Sequence, residues 1–301
     1  MLRKNKKIDI LEARKKTRRR ENIKRMWHSF SRNKISVIGL VGIFLIVFIA
    51  IFANYVAPSP ESAGLYINFG EANRPPSLTH IFGTDEMGRD ILSRVIFGYR
   101  TSLLLVVIVL SIVVPIGVTL GLLAGYFRDT YIEIIIMRIT DVFVSIPPLL
   151  LALVICSLLT PNLQNAMLAI SVAWWSWYCR IIYNVTTSLK GETYVWSAEV
   201  SGASYSHILF KEILPNCLSP ILTKVSLDAG LIILTGASIS FVGLGAQPPT
   251  AELGGMVSSG CKLLPEQWWI SMAPSLAIVL LIMCFNFIGD GIVSIYEKGR
   301  G

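Results

Sequence analysis

Three carboxylates stand close together in one segment, at Asp85, Glu86 and Asp90. Neighbouring carboxylates are the residue types from which general acid–base pairs are built, so this cluster is the first candidate for catalysis. The surrounding sequence, HIFGTDEMGRDILSR, predicts a turn that leads into an amphipathic helix, with Asp90 and Arg94 four residues apart on one side. We therefore expect helix capping and ion pairing from these carboxylates rather than catalysis.

A second charged pair, Lys224 and Asp228, lies inside a long apolar run. The spacing of four places both side chains on one face of a predicted helix. Each charge would cost about 2.5–3.5 kcal/mol at the centre of a membrane span, and less near its end. The two side chains are therefore expected to pair or to face a cavity. A local ion pair at the membrane boundary is favoured, and contact with a charged substrate stays open.

Metal and nucleophile chemistry has little support in the sequence. The three histidines are far apart and form no ligand motif, and no H-E-x-x-H is present. No C-x-x-C pair occurs, which argues against a zinc site and a disulfide framework. The five cysteines are scattered at Cys156, Cys179, Cys217, Cys261 and Cys284.

Composition places the chain in a membrane. Of the 301 residues, 53% are hydrophobic and only 15% are charged, and the apolar residues come in long uncharged runs. The net charge of +8 is concentrated at the N-terminus, because 14 of the 27 lysines and arginines lie in residues 1–34. Such a tail suits the anionic inner leaflet and predicts a cytoplasmic N-terminus. We expect no cleavable signal peptide, because the basic region is long and no small-residue cleavage site follows the first apolar run.

The uncharged runs predict about six membrane spans, with both termini in the cytoplasm. The predicted spans are Ile35–Ala57, Thr101–Phe127, two spans between Asp141 and Arg180, Ile221–Leu244 and Trp268–Gly289. An external turn at Thr160-Pro161-Asn162 divides the 38 uncharged residues between Asp141 and Arg180. Pro147-Pro148 is predicted to break the first of these two spans, and Arg180 to extend toward the cytoplasm. Gly121, Ala124 and Gly125 predict a close helix contact.

The largest polar segment between the apolar runs is the loop of residues 189–220, which this topology places in the cytoplasm. Its sequence predicts a short helix, a bend at Gly202 and a second helix whose apolar stripe ends at Pro215.

Seven segments, in order, carry a resemblance to a known family. They are FSRNKISVIGLVG, HIFGTDEMGRDILSRVIFGYRTSL, GLLAGYF, MRITDVFVSIPPLLLA, GASYSHILFKEILPN, SISFVGLGAQPP and FNFIGDGI. From about Trp27 to Tyr296 the chain resembles the C-type permease subunits of peptide and nickel ABC importers. The 189–220 loop resembles the "EAA" loop of these subunits, although Trp196-Ser197-Ala198 stands where Glu-Ala-Ala is usual. Gly236 stands where relatives often carry Glu.

The resemblance implies an all-α polytopic membrane protein with a type I (MetI-like) permease core and an extra N-terminal span. We expect a basic tail at 1–34, a first span with an external loop and amphipathic helix at 35–100, and the five-helix core at 101–301. The residues expected to couple the loop to an ATPase are Ala198, Glu199, Gly202, Ala203, Ser204, Tyr205 and Pro215. Those expected along a substrate pathway are Lys224, Asp228, Gly236 and Trp174.

The family also implies partners. These are a second, homologous permease subunit, two ATPase subunits and an extracytoplasmic binding protein that delivers the substrate, with no role for nucleic acid. The sequence has no G-x-x-x-x-G-K-[ST], so ATP and magnesium are expected on the ATPase subunits and this chain is expected to be non-catalytic. The expected location is the cytoplasmic membrane of a bacterium or archaeon.

The function implied is translocation in an ATP-driven importer of di- and oligopeptides. An importer of nickel or a metal chelate is the alternative within the family. A secondary transporter is a more distant one, because we find no internal repeat and Asp228 is nearly alone as a carboxylate within a span.

Overall fold

The computed structural model describes residue 24 and residues 27–297, and this part is helical apart from its loops and one isolated β-bridge between Thr84 and Asp90. Most of the basic tail, at 1–23, 25 and 26, lies outside the described residues, as do residues 298–301. The helices are α1 (Lys34–Ile51), α2 (Ala53–Val56), α3 (Ile91–Tyr126), α4 (Tyr131–Ser145), α5 (Pro148–Leu158), α6 (Leu163–Lys190), α7 (Thr193–Val200), α8 (Tyr205–His207), α9 (Leu214–Phe241), α10 (Leu253–Cys261) and α11 (Trp268–Glu297).

The first span begins where predicted and packs closely on the last helix. Asn33 caps α1 by accepting a hydrogen bond from the Ile35 amide at 3.1 Å. Two glycines let α1 approach α11. A Cβ on Gly39 would lie 2.6 Å from Phe287 Cβ, and one on Gly42 would lie 2.5 Å from Cys284 Sγ. Small residues at this contact therefore hold the N-terminal span against the rest of the bundle.

The amphipathic helix and the second span, predicted as separate elements, are one helix of 36 residues, α3. Asp90 caps its start, and the helix continues through Pro115 to Tyr126. The charges on Arg94 and Arg100 made the first ten residues look distinct. These charges do not end the helix, which continues through Gly98 and Arg100 without a break.

The predicted small-residue face on α3 is confirmed, and it lies against α6. A Cβ on Gly121 would lie 2.6 Å from the Cys179 carbonyl oxygen, and one on Gly125 would lie 2.6 Å from Thr186 Cβ, while Ala124 is fully buried. Helices α3 and α6 therefore meet almost backbone to backbone.

The predicted break at Pro147-Pro148 is also confirmed. Helix α4 ends at Ser145 and α5 begins at Pro148, and the two are bent by 89°. A proline cannot donate a backbone hydrogen bond and restricts the residue before it, so the helix cannot continue through this pair.

Four helices in the described part are long and apolar enough to cross a membrane, and the bent pair α4–α5 would make a fifth. Helix α6 has 28 residues, about 42 Å at 1.5 Å per residue, but it is more polar and is not among them. The count of six and the sidedness of the bundle stay predictions. We call the end of the bundle that carries residues 189–220 the loop end, and the opposite end, which carries residues 80–94, the signature end.

Candidate functional site

The 189–220 loop turns at Gly202, as predicted, and the turn has a defined geometry. Gly202 has φ +77°, which favours glycine. Its amide donates to the Glu199 carbonyl at 3.0 Å, and the Ala203 amide donates to the Ala198 carbonyl at 3.1 Å. This pair of bonds is a Schellman motif, which satisfies the last carbonyls of α7 and ends the helix.

The loop is anchored to the ends of α3 and α6 by its apolar side. Val195, Ile208 and Ile213 are almost fully buried, in a cluster with Leu122 and Ile182 of the spans. Burying side chains of this size contributes about 1.5–3 kcal/mol each. The loop is therefore a packed extension of the bundle.

A polar and aromatic contact fixes the turn itself. The Tyr126 hydroxyl, at the end of α3, donates a hydrogen bond of 2.7 Å to Glu199 Oε1. The ring of Tyr205 lies edge-on to the rings of Tyr126 and Phe127, with centroids 5.9 and 5.4 Å apart. Lys190 places its Nζ 5.3 Å from the Tyr126 ring centroid. The two sides of the Gly202 turn are thus both tied to one helix end.

The outer side of the loop carries three exposed apolar or aromatic side chains among polar ones. Trp196, Val200 and Tyr205 are 63%, 70% and 63% exposed. Ser204 caps α8 by accepting from the His207 amide at 3.4 Å, and Ala198 and Ala203 pack against the buried cluster. Exposed apolar side chains next to a rigid turn are typical of a surface that binds another protein.

The prediction that the second helix of the loop ends at Pro215 is wrong. A π-helical turn over Ile208–Ile213 leads into α9, and the helix continues through Pro215 and Pro220 to Phe241. A proline ring normally clashes with the carbonyl four residues earlier, which here belongs to Lys211 in the wider π-turn. The second half of the loop and the following span therefore form one continuous helix, over Tyr205–Phe241.

Lys224 and Asp228 form the ion pair that their spacing predicted. Lys224 Nζ lies 2.7 Å from Asp228 Oδ1, and the side chains are 22% and 1% exposed. The same Nζ lies 5.9 Å from the ring centroids of Trp177 and Tyr178. Lys224 also lines a cleft of about 890 Å³ between α6, α9 and α11, with polar neighbours such as Asn184, Ser188, Asn216 and Thr223.

The other two predicted pathway residues lie in helix contacts. Trp174 is 7% exposed and belongs to the main hydrophobic core. Gly236 faces α3, where an added Cβ would lie 2.6 Å from Leu105 Cδ1. The structure therefore brings Lys224 to a cleft, Asp228 to its side, and Trp174 and Gly236 to the packed interior.

Two of the three carboxylates, Asp85 and Asp90, cap and pair, as expected, but Arg94 Nε pairs with Asp85 Oδ2 at 3.6 Å and not with Asp90. Asp90 Oδ2 accepts from the Ser93 amide at 2.8 Å, and Asp90 Oδ1 lies 3.0 Å from His80 Nδ1. Asp85 accepts from the Arg89 amide at 3.0 Å and pairs with Arg89 Nε at 2.8 Å. Glu86 is exposed. These contacts fold the segment onto the start of α3.

Sequence reasoning missed Glu252, a buried carboxylate at the signature end. It caps α10, accepting from the amides of Gly254 at 3.0 Å and Gly255 at 2.7 Å. Burial raises the pKa of Glu252, while these two backbone bonds act in the opposite direction. The side chain lines a pocket of about 200 Å³ that Asp85, Arg89 and Arg94 also line. A carboxylate two residues before a Gly-Gly pair was the available signal for a helix cap.

A second missed feature is an ion pair between Asp141 of α4 and Arg180 of α6. These residues delimit the long uncharged run of the sequence. Arg180 was predicted to extend along α6 toward the cytoplasm. Its side chain instead crosses to the neighbouring helix α4, because the Asp141 carboxylate lies opposite it. No group of three histidine, cysteine, aspartate or glutamate side chains in the described residues is placed to hold a metal ion.

Comparison with known sequences adds two family matches. The profile described as "binding-protein-dependent transport system inner membrane component" matches residues 117–300. The profile described as "N-terminal TM domain of oligopeptide transport permease C" matches residues 22–76.

Individual relatives match over most of the chain. The dipeptide transport system permease protein of Escherichia coli K12 is 40% identical over 277 residues, which cover 90% of this chain and 91% of the relative. The protein of the same description in Haemophilus influenzae is 36% identical over 281 residues, covering 90% and 92%. The glutathione transport system permease protein of Pectobacterium atrosepticum is 37% identical over 266 residues, covering 88% and 87%.

Proposed function

The chain belongs to the family of inner membrane components of binding-protein-dependent transport systems, and from this premise we propose that it forms part of the translocation path of an ATP-driven importer of di- and oligopeptides. It is a multi-pass membrane protein with several apolar helices. The observation that carries the substrate class is the whole-length similarity to permeases named for dipeptide and glutathione transport. These names give no support to the nickel alternative.

We assign the coupling role to the 189–220 loop. It has an apolar outer surface at Trp196, Val200 and Tyr205, and its inner side is tied to the end of α3. It also continues through the π-turn into α9. A partner that moves the loop would therefore move two spans. With the loop end in the cytoplasm, ATPase subunits would reach this surface, and their closure on ATP would favour one orientation of the permease.

The chain itself is proposed to be non-catalytic, with ATP and magnesium bound by the ATPase subunits. A binding protein would deliver the substrate at the signature end, and a second permease subunit would complete the path.

Lys224 is the proposed pathway residue of the cleft between α6, α9 and α11, and Asp228 would position its ammonium group. Trp174 and Gly236 would act by holding the surrounding helices. The division at 34 and 100 into tail, N-terminal span and core stays part of this proposal.

Uptake tests the substrate class directly. Cells that carry the chain with its partner subunits are compared with a deletion of this chain alone, using labelled di- and tripeptides and labelled nickel. We expect peptide uptake to be lost in the deletion and restored by the wild-type chain. Peptide uptake that is unchanged in the deletion would overturn the assignment.

A further inference from the structure

The Asp141–Arg180 pair is open on the surface of this chain, although Asp141 lies in the bent pair α4–α5, which is apolar enough to cross a membrane, and Arg180 lies well within α6. The two side chains are 45% and 39% exposed, whereas the Lys224–Asp228 pair is 22% and 1% exposed. Arg180 Nε is itself buried and has no hydrogen-bond acceptor among the described residues. A ligand could therefore reach only the exposed parts of the two side chains.

The pair lies well inside the helices that carry it. Asp141 is ten residues from the start of α4 and Arg180 ten residues from the end of α6, about 15 Å from the loop end in each case. The hydrocarbon core of a bilayer is about 30 Å thick. Charged side chains inside the hydrocarbon core are costly against lipid, so a pair carried there by its helices would face water or protein.

The backbone beside the pair leads to the same conclusion independently. The helix break at Ile146-Pro147 begins five residues, or about 7.5 Å, beyond Asp141. Both Ile146 and Pro147 are exposed on this chain. Irregular backbone at membrane depth is tolerated only inside protein or along a water-filled cavity. The break is thus a second feature, close to the pair along the chain, that favours water or protein over lipid as its neighbour.

Other contacts beside the ion pair also hold α4 against α6. On one side, the Tyr183 hydroxyl donates to Glu133 Oε1 at 2.5 Å. On the other, the rings of Phe143 and Trp175 meet edge-on at 5.3 Å. Thr140 is fully buried behind it, with its Oγ1 3.4 Å from Cys179 Sγ. We therefore expect the α4–α6 contact to survive the loss of the ion pair, which would leave the two charges free for another role.

We propose that Asp141 and Arg180 line the translocation path and bind the charged ends of a peptide in transit, an inference that rests on the proposed function. A free dipeptide carries an ammonium group at one end and a carboxylate at the other. Arg180 offers a planar fork of donors that matches a carboxylate, and Asp141 offers an acceptor for the ammonium group. The two residues would exchange their mutual contact for contacts with the substrate, so the peptide loses little electrostatic stabilisation on leaving water.

The test compares free and end-blocked peptides in the complete transporter. Uptake of labelled Ala-Ala, its C-terminal amide and its N-acetyl form is measured for each variant and divided by the wild-type rate for the same peptide. This division cancels the preference of the binding protein. We expect Arg180→Gln to lower uptake of Ala-Ala about tenfold and that of the amide at most about twofold. Asp141→Asn is expected to discriminate in the same way between Ala-Ala and its N-acetyl form.

Two controls separate this role from a structural one. Tyr183→Phe alters the same helix contact without changing its charge, and should leave the ratio of free to blocked peptide as in wild type. The exchange Asp141→Arg with Arg180→Asp keeps an ion pair, and should reach the membrane at normal levels without restoring uptake. Equal losses for free and blocked peptides, or full uptake in the exchange variant, would overturn the inference. A wild type that imports no peptide would instead overturn the proposed function, and the inference with it.

Accessibility gives a measurement that does not depend on uptake by the variant. In a Cys261→Ser background, Ser145→Cys at the break should react with a membrane-impermeant thiol reagent in the assembled transporter. Val107→Cys, on an exposed apolar face of α3, is the matched control and should stay unlabelled. An unreactive residue 145 would contradict a water-filled path beside the pair.

Discussion

Tyr126 shows how a single side chain connects the loop to a span. Its hydroxyl donates to Glu199 across the Gly202 turn, and its ring contacts Tyr205 on the other side. Tyr126→Phe keeps the ring and removes only the hydrogen bond, which we expect to be worth about 1 kcal/mol because Glu199 is exposed. The population of the loosened loop should rise about fivefold, measured as the rate of proteolytic cleavage within residues 193–213.

Tyr194→Phe is the matched control for that measurement. The Tyr194 hydroxyl accepts from Asn216 Nδ2 at 3.2 Å, a neutral and exposed contact. Its loss should change the cleavage rate by less than the loss of the Tyr126 contact. Equal rates in the two variants would show that the Glu199 bond does not hold the turn.

Glu252 gives a prediction about pH. Because burial raises its pKa in the folded state, folding favours the protonated form. The stabilisation is fully present below the unfolded pKa and is lost as the pH rises through the raised value. Glu252→Gln keeps an acceptor for the cap of α10 and cannot ionise. The thermal midpoint of the variant relative to wild type, in detergent, should therefore increase from pH 4 to pH 8, and parallel curves would contradict the assignment.

At the scale of elements, α3 and α6 form the most extensive helix contact among the described residues. An added Cβ at Gly121 would lie 2.6 Å from the Cys179 carbonyl oxygen, and a backbone atom cannot move aside as a flexible side chain can. Gly121→Ala should lower the free energy of unfolding by about 1–3 kcal/mol. Gly191→Ala is the control, because its nearest neighbour is 3.8 Å away and its backbone is right-handed helical. We expect the control to stay within about 0.5 kcal/mol of wild type, measured by denaturant unfolding in micelles.

Elements with a local physical cause were predictable from the sequence. The Gly202 turn needs positive φ, the Pro147-Pro148 break needs a missing donor, and the Lys224–Asp228 pair needs only helical spacing. Each of these features is determined by residues that are close together in the sequence.

Features that depend on distant segments were not predictable in this way. The continuity of α3 was missed because charge was taken to mark a helix end. The passage of α9 through Pro215 depends on a π-turn, for which the sequence carries no simple signal. The Asp141–Arg180 pair joins residues 39 positions apart, so its existence depends on how α4 packs on α6. Such contacts follow from tertiary packing and need the structure.

At the scale of the whole molecule, the arrangement links two ends of a bundle. The signature end is folded onto the start of α3 by Asp85 and Asp90, and the loop end is tied to the finish of the same helix by Tyr126. Helix α9 connects the loop to the signature end in the same way, without interruption. Two continuous rods thus run between the ends, and a movement imposed on the loop can be transmitted along them.

The two glycines that end helices α7 and α9 allow a direct test of whether the 189–220 loop transmits movement to the spans. Gly202 and Gly243 have φ of +77° and +90°, both occupy the same position of a Schellman motif, and neither would bring an added Cβ within 4 Å of a neighbour. Valine at either site therefore introduces a similar backbone strain, of about 1–3 kcal/mol. One variant disturbs the 189–220 loop and the other disturbs the signature end.

The decisive measurement is ATP-driven uptake of a labelled dipeptide, with ATP hydrolysis recorded in parallel, by the reconstituted transporter carrying Gly202→Val or Gly243→Val. We expect Gly202→Val to uncouple the two activities, so that uptake per ATP hydrolysed falls about tenfold, while Gly243→Val should leave this ratio near that of wild type. A wild-type ratio in Gly202→Val, at equal amounts of protein in the membrane, would contradict the claim that this loop transmits the action of the ATPase.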